Sequence, residues 1–129
     1  MEIYVVNKKL EKILSDRKKM IRKYGFNMAQ KIMQRIHDMK VVENLAVLMD
    51  LPGNHHSLKG DRKGQFACDL EHSYRLIYRP GNNPLPINEN GMLIYSEITI
   101  INILEIKDYI LPSSLLLERV NLSKLFPLF

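Results

Sequence analysis

Two strand-like runs separated by three residues constrain this chain more than any other feature. Gln65-Phe66-Ala67-Cys68-Asp69-Leu70 alternates as a half-buried strand does, Glu71-His72-Ser73 can turn, and Tyr74-Arg75-Leu76-Ile77-Tyr78-Arg79 alternates again. Side chains of a strand point to opposite faces in turn, so the pair predicts an antiparallel hairpin. Cys68 falls in line with Phe66 and Leu70 on one face and is read as a buried structural thiol rather than a nucleophile. As the single cysteine, it also excludes an internal disulfide framework.

The flanking segments supply layers to cover such a hairpin. Residues 3–6 form a short β-branched run, after which Asn7 can cap a helix with Leu10, Ile13, Leu14, Ile21 and Tyr24 at helical spacing, ended by Gly25. Its outward face carries Lys8, Lys9, Lys12, Arg17, Lys18, Lys19, Arg22 and Lys23, relieved by Glu11 and Asp16. That face is read either as a solvated surface or as a contact for ribosomal RNA or an acidic partner. Asn27 and Gln30 resemble a capping box opening a second helix with Met28, Ile32, Ile36 and Met39 on its apolar stripe, ending about Lys40. Residues 43–51 suggest a third short helix stopped by Pro52-Gly53. Residues 80–91, rich in proline and asparagine, read as a flexible insertion, and residues 98–106 as a buried isoleucine-rich strand. The order predicts an α+β fold, an N-terminal helical hairpin backing a small antiparallel-rich sheet.

A chain of 129 residues with 46% hydrophobic content fits one domain able to bury a core unaided. The formal charge of +5 favours an anionic partner such as nucleic acid. The apolar start runs straight into Lys8 and Lys9, which is unlike a signal peptide, and Glu118, Arg119 and Lys124 interrupt the leucine-rich C-terminal segment, so no membrane span is expected and the location expected is cytoplasmic.

Ahead of the hairpin, residues 55–64 crowd His55, His56, Lys59, Arg62 and Lys63 with two glycines, Gly60 and Gly64. Cleaving RNA through the ribose 2′-hydroxyl requires removing a proton, protonating the departing 5′-oxygen and stabilising charge on the phosphoryl oxygens. His56 suits proton transfer near neutrality, as base or acid, while Lys59 and Arg75 can hold the phosphate. Tyr109 offers a hydroxyl and a ring for stacking a base, and Arg62, Lys63 and Arg79 are candidate RNA contacts. His56 and Lys59 are three apart and would oppose each other on a regular strand, so the segment must bend, which the glycines permit. Each residue also has a structural reading: Arg75 can pair with Asp69 or Glu71 across the hairpin, His72 is a solvated turn residue, and Asp108 can partner a nearby cation. No metal and no cofactor are expected, because no Cys-x-x-Cys or His-Glu-x-x-His spacing occurs and adjacent histidines on a strand cannot share one ion.

The run Leu51-Pro52-Gly53-Asn54-His55-His56-Ser57-Leu58-Lys59-Gly60-Asp61-Arg62-Lys63-Gly64-Gln65-Phe66, then Tyr74-Arg75-Leu76-Ile77 and Glu105-Ile106-Lys107-Asp108-Tyr109, resembles the HigB branch of the RelE/ParE toxin superfamily over about residues 3–109. The resemblance implies a type II toxin that cuts messenger RNA in the ribosomal A site. It also implies a helix-turn-helix, HigA-like antitoxin that blocks the toxin and carries the pair to operator DNA. His56 and Lys59 match the family's active-site His and Lys, Arg75 its phosphate-binding Arg, and Asp108 with Tyr109 its C-terminal Asp-Tyr. Many relatives continue with histidine where this chain has Ile110, which leaves proton transfer to His56, or to His55 as a substitute, or implies a weakened enzyme. Residues 1–109 are then the toxin domain, and 110–129 an extension packing on or beside the same domain, compatible with a short helix after Ser113 or Ser114.

Overall fold

The computed structural model describes residues 1–109, so the expected extension and its helix lie outside the described residues. Strand β1 (Glu2–Val5) is followed by helices α1 (Lys8–Leu14), α2 (Arg17–Tyr24), α3 (Phe26–Val41) and α4 (Leu45–Met49). Strands β2 (His56–Ser57), β3 (Phe66–Asp69), β4 (Tyr74–Pro80) and β5 (Ile100–Asp108) complete the α+β fold. The five-stranded sheet has the order β1-β5-β4-β3-β2, with only β1 running parallel to its neighbour.

The hairpin forms as expected, Phe66 facing Tyr78 and Asp69 facing Arg75. The first helix does not run unbroken from Asn7 to Gly25. It stops at Ser15, and Asp16 restarts it by accepting from the backbone N–H groups of Lys18 and Lys19. A short acidic side chain that satisfies two orphan donors competes with helix continuation, and here it wins. The capping box at Asn27 is also absent: α3 begins at Phe26 with Gly25 as its cap at φ 87, a left-handed geometry suited to glycine. Residues 80–91 belong to a closed loop rather than a loose insertion. Asn82 Oδ1 accepts from the N–H groups of Thr99 and Ile100, and Ile87 bridges to Leu93.

Helices α2 and α3 form the expected hairpin and lay Met20, Met28, Ala29, Ile32 and Met39 on one face of the sheet. Phe66, Cys68, Leu76, Tyr78, Ile101 and Ile103 rise to meet them, with Leu45 and Leu48 of α4 closing one end. Burying a side chain of this size contributes about 1.5–3 kcal/mol, so this apolar layer carries most of the stabilisation. Burial pushes the Cys68 thiol up to about 12, which keeps it protonated and inert. A register shift between Ile77 and Tyr78 bulges β5 against β4.

Candidate active site

Directly opposed residues of an antiparallel pair share a face. The register His56–Ala67–Ile77–Glu105 therefore makes one row across four strands, and Asp69–Arg75–Lys107 makes a second on the same side. Because Phe66, Cys68, Leu76 and Tyr78 point into the helical layer, these rows occupy the opposite face of the sheet.

The two histidines of the sequence cluster part company at β2. His55 is buried, and its Nδ1 lies 2.8 Å from the hydroxyl of Tyr78 on the core side. Burial, then the positive charge of Arg35, lowers His55 to about 4, so it is neutral and out of solvent's reach. It cannot replace an absent histidine at position 110. His56 points the other way and is half-buried, with Nδ1 2.7 Å from the carbonyl of Asn54. A carbonyl only accepts, so Nδ1 carries a proton, and in the neutral ring Nε2 is the atom with the lone pair. Asn54 reaches back because it adopts φ 55, a left-handed conformation that asparagine tolerates.

The bend required between His56 and Lys59 is present. β2 lasts two residues, Leu58 N–H donates to Gln65 O at 2.9 Å, and Gly60–Arg62 forms a 3-10 turn entered through Gly60 at φ 63. Lys59 and Lys63 are exposed on either side of that turn. Arg62 is not exposed with them: its guanidinium donates to Gln65 Oε1 at 2.9 Å and to Glu105 Oε2 at 2.6 Å, strapping the loop across β5. Arg79 is exposed further along β4, opposite Asn102.

Arg75 stands at the other end of the face. Its Nε is 3.2 Å from Asp69 Oδ1, off the hydrogen-bond line, so the contact is an ion pair of two half-exposed groups. The structural pairing considered for Arg75 is thus present. Its guanidinium carbon also sits 4.8 Å from the centre of the Tyr109 ring, with Lys107 Nζ 6.0 Å from the same ring. Tyr109 N–H donates to Ser73 O at 3.0 Å, and Ser73 Oγ donates to Asp108 Oδ1, which ties the end of β5 to the hairpin turn. Around this knot lies a shallow depression of about 240 Å³ bordered by Asp69, Ser73, Arg75 and Tyr109, with the solvated His72 on its rim.

Arg75 and Tyr109 are therefore brought together, and Asp108, opposite Tyr74 in the register, is tied to them through Ser73, while His56 lies across two strands and two residues along, roughly 12 Å away between Cα atoms. Asp69 sits between them. Sequence reasoning weighed Asp69 only as a partner for Arg75 and did not single out Lys107. Alternation along residues 105–109 was the available signal, since it places Lys107 on the face of Tyr109. Among the described residues no three His, Cys, Asp or Glu side chains are grouped so as to hold a metal, and no helix is long and apolar enough to cross a membrane.

No protein-family model and no curated protein matches the chain. Among solved structures it is similar to a YoeB/ParE toxin from Agrobacterium tumefaciens, with a TM-score of 0.55 and 14% identity over 85% of this chain and 100% of that one. The helical hairpin, the mixed five-stranded sheet and this likeness together show that the chain shares the fold of that YoeB/ParE toxin.

Proposed function

We propose that this chain is the toxin of a type II toxin-antitoxin pair, of the HigB kind, and acts as a metal-independent, ribosome-dependent endoribonuclease on messenger RNA. The observation that carries this reading is the 2.7 Å contact between His56 Nδ1 and the Asn54 carbonyl: it leaves Nε2 of the neutral ring to act as a base on the same side of the sheet as Arg75. In this reading Nε2 removes the proton of the ribose 2′-hydroxyl, whose oxygen attacks the adjacent phosphorus and expels the 5′-oxygen. The departing oxygen takes its proton from water or from the His56 imidazolium, since Ile110 supplies none. Arg75 and Lys59 stabilise the phosphoryl charge, Lys63 and Arg79 hold flanking phosphates, and Tyr109 stacks a base. Asp108 acts through Ser73 to set the position of Tyr109, and Arg62 acts by holding its loop. The partners of this reading are the ribosome with its message and a HigA-like helix-turn-helix antitoxin through which operator DNA is bound. Its location is the cytoplasm.

Expression in bacteria followed by mapping of transcript 5′ ends tests the proposal. Arrested growth with new ends inside translated messages is expected, and His56→Ala should lower cleavage about 100-fold or more. Intact messages with folded protein present would overturn it. The similar solved structure is a YoeB/ParE toxin, so a gyrase-poisoning reading is the second one. Toxicity that survives His56→Ala would establish that alternative. A toxin-like subunit confined to antitoxin and operator binding is the third. Cleavage that appears only after Ile110→His and removal of residues 111–129 would favour it.

A further inference from the structure

We infer that Asp69 is a positioning residue that couples the His56 base to the Arg75 cation. The inference rests on the nuclease reading and deepens it. The polar atoms of Asp69 reach the turn before β2, the core and Arg75. Its N–H donates to Gly53 O at 2.7 Å, and its own carbonyl accepts from Arg35 Nε at 2.8 Å. Its Oδ2 accepts from Asn54 Nδ2 at 3.3 Å, while Oδ1 stands 3.2 Å from Arg75 Nε. The carbonyl of Asn54 in turn receives Nδ1–H of His56 at 2.7 Å.

The consequence follows link by link. Asn54 holds its carbonyl towards the imidazole only while its left-handed backbone is kept, and Asp69 anchors that turn from both sides, at Gly53 and at the Asn54 amide. The same carboxylate aims Arg75 along the row shared with Lys107. Arg35 backs the arrangement from the core; it is 9% exposed and packs so closely on Gly53 that a Cβ there would lie 2.7 Å from its Nε. The Asp69 backbone N–H thus holds the turn at Gly53, and its carboxylate links the Asn54 side chain beside the base to the phosphate-binding fork, two groups on different strands.

The test reads the His56 tautomer by imidazole nitrogen NMR on the full chain, without RNA. Asp69→Ala, which removes the carboxylate's contacts with Asn54 and Arg75 and keeps the backbone bond to Gly53, should move His56 from Nδ1–H towards Nε2–H. Asn54→Gly should do the same while keeping a residue that tolerates the backbone, and it guards against Asp69→Ala failing to fold. Asp69→Asn keeps an acceptor for the Asn54 amide but drops the charge, so the tautomer should stay and only the KM for message-loaded ribosomes should change, by about threefold or more, whereas Asp69→Ala should also lower kcat about tenfold. A His56 tautomer unchanged in both Asp69→Ala and Asn54→Gly would overturn the inference. Wild-type protein that cleaves no message would overturn the nuclease reading separately, because the tautomer shift is seen without substrate.

Discussion

His55 and His56 are adjacent, and one backbone step separates a core residue from a surface imidazole. The neutral ring of His55 is stacked edge-on against Tyr78, its centroid 5.9 Å away, and burial raises the Tyr78 hydroxyl well above the ordinary phenol value, so that it stays protonated. A histidine lowered from 6.5 to about 4 on folding binds fewer protons in the native state than in the unfolded one between those values. Its contribution is therefore complete above about pH 6.5 and is lost as pH falls towards 4, on the order of 3 kcal/mol in all. Urea unfolding at about pH 7.5 and about pH 4.5 should show that loss in the wild type and a clearly smaller one in His55→Gln, which cannot titrate. Equal losses in both would show that other groups carry the acid sensitivity. Which of the two histidines faces the core was not legible in the sequence, because the register of a two-residue edge strand is set by its pairing with Ala67 and not by its own pattern.

Among the elements, the β3–β4 hairpin was legible because both strands alternate and one face is wholly apolar. The break between α1 and α2 was not, because Asp16 at a solvent-facing helical position looks the same as Asp16 at a cap until the backbone is seen. The strap from Arg62 to Glu105 was hidden for a different reason: its ends lie on separate elements 43 residues apart. The turn leading into β2 shows how tightly an element can be held. Gly53 sits at φ 123 with Arg35 against it, so Gly53→Ala combines backbone strain with a clash and should cost about 1–3 kcal/mol, read as a lower urea midpoint. Because the same turn carries Asn54, cleavage should fall further than the loss of folded protein explains. A variant as stable and as active as wild type would show that the turn relaxes freely.

At the scale of the whole molecule, one side of the sheet is apolar and roofed by helices, and the other bears His56, Arg75, Lys107, Tyr109 and Arg79. The composition signalled an anionic partner but not which side would meet it. That depended on the pairing of β4 with β5, which puts Lys107 opposite Arg75. If this face holds an RNA backbone, Lys107→Ala should weaken single-stranded RNA binding and reduce the slope of log affinity against log salt by about 0.7, the value of one lost phosphate contact. An unchanged slope would place Lys107 outside the RNA path.

The parallel pairing of β1 with β5 sets Glu2 beside Ile100. The strand made first thus waits for the described strand made last, and β5, once present, separates β1 from β4. Such distant pairing makes a sheet slow to assemble. While its own message is being read, the emerging chain lacks Lys107 and Tyr109 and cannot complete the charged face. Order of synthesis alone thus delays the charged face until the ribosome has passed the codons that specify it.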